Sequence, residues 1–352
     1  MKGFVVIIFL SAWLASPAQA ILPKDLAKLH RQEDSLKVLC NKLVYEKYAA
    51  MRFMADSSFI KTLVRTLKIP YSFDYPFDSL QTVSHLYAPD SSFRIFSWQF
   101  TRDSSYCRQR GAIQMRTADG SLKLFPLLDM SDFTTEPQDS IRTGKNWIGC
   151  IYYSVLRNSF NGKNFYTLLG FDDNNALSTK KWAEVLYFDT LGNPRFGGPF
   201  FSIPTGQIKA GGGGKQARFC LEFKKDGHAR MNYDKDLDMI VYDHLIPEDG
   251  KSEKASSFVP DGDYQGFKWM NGKWVLVDKI FNQKLEDGQA PMPMPLKDAN
   301  GKNDETKLMQ QSEQTRQRLK EQSKIKTPPA PAKPSKKPVE KQQPSKEKEE
   351  SY

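Results

Sequence analysis

Residues 171–189, FDDNNALSTKKWAEVLYFD, set two aspartates and two asparagines side by side ahead of an apolar run. Four oxygen-bearing side chains in a row suit a hard cation, and they equally suit a polar turn between two strands. A helix-loop-helix calcium site needs oxygen ligands at the first, third, fifth and twelfth places of its loop and a glycine at the sixth. Counted from Asp172, the third, fifth, sixth and twelfth places hold Asn174, Ala176, Leu177 and Ala183, so only the first and third requirements are met. Lys180 and Lys181 follow closely, and two ammonium groups oppose a bound cation. Asx side chains bond the backbone two residues on and tolerate left-handed conformations. Asp172 and Asp173 are therefore read as turn formers, with a cation site as the alternative.

A second acidic run, NYDKDLDMIVYDHL at 232–245, spaces Asp234, Asp236 and Asp238 two apart. Its sixth place is Met239 and its twelfth Leu245, so it fails the same test. Lying between two strand-like segments, it reads as a hairpin connection whose charges stay in water. A site assembled from both acidic loops is left open by the linear pattern.

Other chemistry is thinner. Gly211 to Gly214 precede Lys215, but Gln216 and a strand-like ARFCLEF follow where a phosphate loop needs Ser or Thr and a helix. It reads as a flexible loop. Asp243 and His244 are the only adjacent acid and imidazole, and neighbours on a regular strand point to opposite faces, so they form no dyad with each other. His244 remains the one candidate catalytic base, against a partly buried structural histidine. The four histidines and the four cysteines show no C-x-x-C, no H-E-x-x-H and no other metal-ligand spacing, and no cofactor motif is present. Carboxylates for glycoside cleavage are too numerous to choose among.

The elements that would position these groups follow from hydrophobic period. From Lys24 to about Ala55, Leu26, Leu29, Leu36, Cys40, Leu43, Tyr48 and Met51 recur at helical spacing and predict one long amphipathic helix. Asp56-Ser57-Ser58 then offers an N-cap for a second, short helix that Pro70 stops. From about residue 82 the period falls to two. Ten or more short segments rich in aromatic and β-branched residues are separated by turn formers such as ADG, NGK, LGN and Asn271-Gly272. Asn-Gly is the strongest hairpin signal among them, because a tight type I′ turn needs positive φ at both residues. The fold class is mainly β: an antiparallel meander, sandwich or barrel-like, behind an N-terminal helical element. Cys150 and Cys220 fall inside apolar strands and Cys40 on the apolar helix face, where a free thiol behaves as a small hydrophobe. With Cys107 they allow at most two disulfides, in pairings the sequence does not separate.

The ends carry a different message. Residues 1–20 begin with Lys2, continue through an apolar stretch and end in Ala-Gln-Ala, the pattern of a cleaved secretory signal peptide. The apolar run is shorter than a membrane span requires, and no later one is long enough. The implied location is outside the cytoplasm, in a periplasm or the extracellular space. Residues 289–352 lose their aromatics until Tyr352 and turn to Pro, Lys, Glu and Gln, a composition expected to stay disordered. The expected domains are thus a signal peptide at 1–20, a helical segment at 21–68, an antiparallel β domain at 69–288 and a tail at 289–352. Half of the net charge of +10 falls in the tail, the body is nearly balanced, and nothing there matches a nucleic-acid surface.

IPYSFDYPFDSL, LYAPDSSFRIFSWQF, the 165–189 segment and MIVYDHLIPEDG resemble a family of uncharacterised exported bacterial proteins, over roughly residues 60–280. The resemblance implies a bacterial envelope location and carries no activity, ligand or catalytic residue. The function expected is non-catalytic binding, with an envelope component or a protein as partner and a sheet as the recognition surface. The rival is a hydrolase of envelope or extracellular polymer. Truncation after Gly288 is expected to leave the melting temperature unchanged; a fall of several degrees would show that the tail docks on the β domain.

Overall fold

A computed structural model describes residues 21–103, 106–204, 217–250, 254–278 and 280, with positions 309, 310, 313 and 317 beyond them. The chain divides into two compact units, Met1–Asn282 and Gln283–Tyr352. In the second unit the four described positions are helical. The signal peptide, the Gly211 to Gly214 loop and the rest of the tail lie outside the described residues, as does the disorder expected of that tail.

The first unit begins with a helical pair. Helix α1 (Pro23–Tyr45) opens with proline in its first turn, where the missing N–H is no loss, and has Asp25 near the positive end of the helix dipole. Its buried stripe is Leu29, Leu36, Cys40 and Leu43, with the acidic Asp25 and Glu33 on the same face. Helix α2 (Ala49–Leu67) buries Ala55, Asp56, Phe59, Leu63 and Leu67.

The expectation of one helix through Ala55 and a cap at Asp56 is corrected here. The chain turns at Glu46 to Tyr48 because the Arg52 guanidinium gathers the carbonyl oxygens of Glu46 at 2.6 Å and Lys47 at 3.1 Å. Asp56 sits inside α2, where its carboxylate accepts from Trp98 Nε1 at 3.1 Å and Arg110 Nε at 3.2 Å. A carboxylate committed to the neighbouring sheet does not cap its own helix.

Three sheets follow. The first is a meander of β1 (Ser84–Tyr87), β2 (Phe93–Asp103), β3 (Tyr106–Met115) and β4 (Lys123–Leu128), antiparallel throughout. The second contains β5 (Arg142–Thr143), β6 (Ile151–Phe160), β7 (Lys163–Asp172), β8 (Ser178–Phe188) and β9 (Pro194–Phe196), in the order β5-β9-β8-β7-β6. The chain then leaves as β10 (Phe201–Ser202) and returns as β11 (Arg218–Lys224) to pair with β8. The third sheet orders β10-β15-β14-β13-β12, from β12 (Met231–Asp234), β13 (Met239–Pro247), β14 (Phe258–Met270) and β15 (Lys273–Val277). The short β10–β15 pair is parallel, a departure from the antiparallel meander, whose other strand pairs are antiparallel.

Strand alternation stacks these layers. On β2, Phe96, Trp98 and Phe100 pack under the helices, while Phe93 and Ile95 point the other way, against Leu168, Trp182 and Leu186 of the second sheet. The opposite face of that sheet offers Leu169, Ala183 and Val185 to Ile240, Phe267 and Trp274 of the third. The helices, first sheet, second sheet and third sheet therefore follow one another, and both middle sheets are covered on both faces. Asn271 and Gly272 have φ of 50° and 77°, and Asn161 and Gly162 have φ of 48° and 70°, the positive angles that two-residue hairpin turns demand. All four cysteines are buried and free. Gly170 allows Cys150 to lie against its strand, since a Cβ there would meet the sulfur at 2.5 Å.

One buried cation ties the first sheet to the segment leading out of α2. Arg94 is fully buried and donates to the carbonyls of Tyr75 and Ser72, to Tyr87 Oη and to Gln114 Oε1, at 2.6 to 3.0 Å. Its guanidinium carbon lies 4.7 Å from the Phe96 ring centre, 4.9 Å from Phe77, 5.1 Å from Tyr87 and 5.7 Å from Phe73. Burial lowers its pKa to about 10, so it stays charged at neutral pH. Arg94→Ala is expected to cost on the order of 3–5 kcal/mol, because four acceptors lose their donor in a dry site. Urea unfolding should show a lower midpoint with an unchanged slope; a loss below about 1 kcal/mol would contradict this role.

Candidate functional site

Asp172 is the last residue of β7, inside the ladder opposite Lys180 of β8, and is buried. Alternation turns its side chain toward the first sheet. There its Oδ1 accepts from Gln109 Nε2 of β3 at 2.9 Å and from the Asn174 backbone N–H at 2.8 Å. The Asn174 bond is the Asx turn expected from the sequence, with Asn174 at φ 54°; the Gln109 bond, between sheets, has no local signal. Burial pushes the Asp172 carboxyl up to about 6, with Asp129 adding to the rise and Asn174 and Lys180 opposing it. Asp129, also buried, collects the backbone N–H groups of Gln109, Ser131 and Gly149.

Asp173 faces outward and joins two residues that the sequence reading did not select. Its Oδ1 accepts from Lys225 Nζ at 2.6 Å and its Oδ2 from the Cys107 thiol at 3.5 Å. Lys225 also donates to the Asp173 carbonyl at 2.6 Å. These groups line a small cleft of about 70 Å³ with Thr101, Asp103 and Tyr106. Such a volume holds about two water molecules. Burial pushes the Cys107 thiol pKa up, which keeps it protonated as a donor to Asp173 rather than an activated nucleophile. The thiol and the amine thus both bond the Asp173 carboxylate, and the arrangement fastens β3 of the first sheet to the residues that follow β7 and β11 in the second. No sequence pattern brings these three together, because Cys107 and Asp173 lie 66 residues apart and Asp173 and Lys225 52.

The other acidic run forms a hairpin connection. Asp234 Oδ1 accepts the backbone N–H groups of Asp236 and Leu237, Asp238 accepts from Tyr233 Oη, and Asp236 is exposed. Its hydrogen bonds stay within its own hairpin, whereas Asp172 and Asp173 bond to β3 and Lys225. Among the described residues, no three His, Cys, Asp or Glu side chains gather as a metal site would need.

His244 lies at a register shift between Asp243 and Leu245, so the strand is not regular where the sequence reading assumed it to be. Asp243 accepts from the Arg230 backbone at 2.8 Å, and His244 Nδ1 pairs instead with Asp261 Oδ2 at 2.7 Å, part-exposed. Among the described residues, no serine, threonine or cysteine is hydrogen-bonded to His244. Glu184 and Arg218 form a buried ion pair at 3.1 Å, directly opposite on β8 and β11, and Tyr152 Oη donates to the same carboxylate. Arg218 also donates to the carbonyls of Ser140 and Phe196 at 3.2 Å, so the pair is satisfied in place and closed to solvent.

The aromatic residues divide unevenly. Trp98, Trp147, Trp182 and Trp274 are core residues, and Trp269 packs against the core between the second and third sheets. Exposed large apolar side chains gather instead where α1 turns into α2. Val44, Tyr45, Tyr48, Met51, Phe53 and Met54 are between 40% and 76% exposed within eleven residues. Tyr48 and Met51 were expected on a buried helix face; the turn at 46–48 rotates α2 and leaves them outside. Arg52 fixes this corner by also donating to the carbonyls of Thr101 at 2.5 Å and Arg102 at 3.4 Å, at the end of β2. Thr101 lines the Asp173 cleft as well, so corner and cleft share one end of the first sheet.

The raised Asp172 pKa gives a signed expectation. Between the ordinary value of 3.8 and about 6 the folded protein holds a proton that the unfolded chain has released, so stability falls as pH rises through that window. The fall attributable to this group is on the order of 2–3 kcal/mol and is complete above pH ~6. Asp172→Asn, which keeps the acceptor oxygen and carries no charge, should flatten this part of a stability-versus-pH curve measured by urea unfolding. An unchanged slope would assign the dependence elsewhere.

No protein-family model, no curated protein and no solved structure matches this chain.

Proposed function

We propose that this is an exported protein of the bacterial envelope that works by binding rather than by catalysis, and that it engages its partner through the α1–α2 corner. The observation carrying this reading is the concentration of exposed Tyr, Met, Phe and Val side chains there. Tyr, Phe and Met are enriched at interaction surfaces, and an exposed apolar cluster on a soluble domain marks one. The recognition surface thereby moves from a sheet to the helices, because the first two sheets are covered on both faces and the large apolar side chains exposed on the third, Ile246, Tyr264 and Met270, are fewer than those at the corner.

Catalysis is less well supported by the same geometry. Asp172, Asp173, Asp234, Asp238 and His244 are each hydrogen-bonded within the chain, and Glu184 is buried against Arg218. The secretory pattern at 1–20 and the family resemblance supply the envelope location as part of the proposal.

Expression with its own N-terminus in a Gram-negative host, followed by fractionation, tests the reading. The protein is expected in the envelope pellet. A variant with Tyr45→Ser, Tyr48→Ser, Met51→Ser and Met54→Ser together should shift to the soluble periplasmic fraction with an unaltered melting temperature. Retention of the variant in the envelope, or absence of the parent from both fractions, would overturn it.

A further inference from the structure

We infer that the surface docked by the α1–α2 corner is an anionic lipid headgroup layer, an inference that rests on the envelope-binding reading above and names its partner. Three features of the corner point to lipid rather than protein.

The first is charge. Between residues 37 and 54 stand Lys37, Lys42, Lys47 and Arg52 against a single acid, Glu46, and the first three are exposed. Glu46 Oε1 accepts the Lys47 backbone N–H, and the Arg52 guanidinium is occupied by carbonyl oxygens. The end of β2 adjoining the corner adds exposed Arg102 and exposed Asp103. The cations left facing water around the apolar group are therefore Lys37, Lys42, Lys47 and Arg102, a surplus over Glu46 and Asp103. Protein interfaces are depleted of lysine, whereas a lysine rim around apolar side chains is what an anionic bilayer surface attracts.

The second is the kind of apolar residue and its position. Tyr45 ends α1, Tyr48 precedes the first residue of α2, and Met51 and Met54 lie one turn apart after it. Tyr45, Tyr48, Met51 and Met54 are 46% to 76% exposed at this corner, so their side chains are open to contact with a headgroup layer. Tyrosine places its ring among headgroups with the hydroxyl wet, and methionine and valine enter the acyl boundary beneath. Lys47 Nζ lies 5.6 Å from the Tyr48 ring centre, which keeps the cation beside the ring at headgroup depth.

The third is order. Arg52 joins the corner to the carbonyls of Glu46, Lys47, Thr101 and Arg102, so the apolar group is held in place before docking. A preformed site loses little conformational freedom on binding.

Co-sedimentation of the protein lacking residues 1–20 with phosphatidylglycerol vesicles and with phosphatidylcholine vesicles tests the inference. Partitioning into the anionic vesicles should be stronger by about tenfold or more at low salt, from two or more net cations at the surface. The four-serine variant should lose binding to both vesicle types. Lys42→Glu with Lys47→Glu, which leaves the apolar group intact, should lose the anionic preference alone. Binding to phosphatidylglycerol that neither variant weakens would overturn the inference and assign the contact to another part of the chain. So would absence of vesicle binding; if fractionation in cells still depended on the corner, the partner would be a protein and the envelope reading would survive. A parent that sediments as a dimer and a four-serine variant that sediments as a monomer would assign the corner to a second copy.

Discussion

Taking a charge out of water costs several kcal/mol unless partners replace the lost hydration, and the second sheet of this protein is covered on both faces. Toward the third sheet it meets the difficulty with aliphatic and aromatic residues. Toward the first it carries Asp172, Glu184 and Arg218, each inside the ladder. The layer between those two sheets is therefore organised by satisfaction of polar groups as much as by apolar contact. Arg218 opposite Glu184 admits only one register of β11 on β8, since a shift by one residue would leave both charges buried without a partner. Gln109 reaching Asp172 fixes how the first sheet lies on the second, and Asp129 draws the chain between β4 and β6 against both.

That layer also explains what the sequence could and could not reveal. The Asn-Gly turns, the two-residue period and the fold class were legible because each is a local demand of backbone geometry. The Asx turn at Asp172 was legible for the same reason. Burial of Asp172 was not, since only the layering distinguishes the last residue of a strand between two sheets from the first residue of a loop. The helix break had a similar origin. Asp56 carries the composition of a cap, but its partners Trp98 and Arg110 are 42 and 54 residues away and draw it into the interior of α2. Cys107 and Lys225, the partners of Asp173, had no signal in spacing. His244 was separated correctly from Asp243, yet for a reason other than strand alternation: a bulge offers it Asp261.

Internal satisfaction of these groups shapes the functional reading. A catalytic acid or base keeps a face open to substrate, and an activated thiol is held near its thiolate form. Here Asp172 and Glu184 accept from side chains on neighbouring strands, Asp173 from Cys107 and Lys225, and Asp234 and Asp238 from their own hairpin, while burial pushes the Cys107 thiol pKa up. At the helix corner the chain leaves large apolar side chains and lysines in water. Arg52 makes that corner continuous with β2, and β2 carries Thr101 to the cleft at Asp173, so contact at the corner bears directly on the end of the first sheet.

The Asp56 carboxylate also sets an order of events as the chain is delivered from its N-terminus. Helices α1 and α2 are complete once residue 67 has emerged, and their contacts are short-range, so the pair can form at once. Its acidic face cannot yet be satisfied, because Glu33 waits for Tyr75 and Ser79, and Asp56 waits for Trp98 and Arg110. Until residue 110 arrives, the hairpin shows water both its exposed apolar corner and the apolar stripe later covered by β2. The first third of the chain is thus at its stickiest before the sheet that shields it exists.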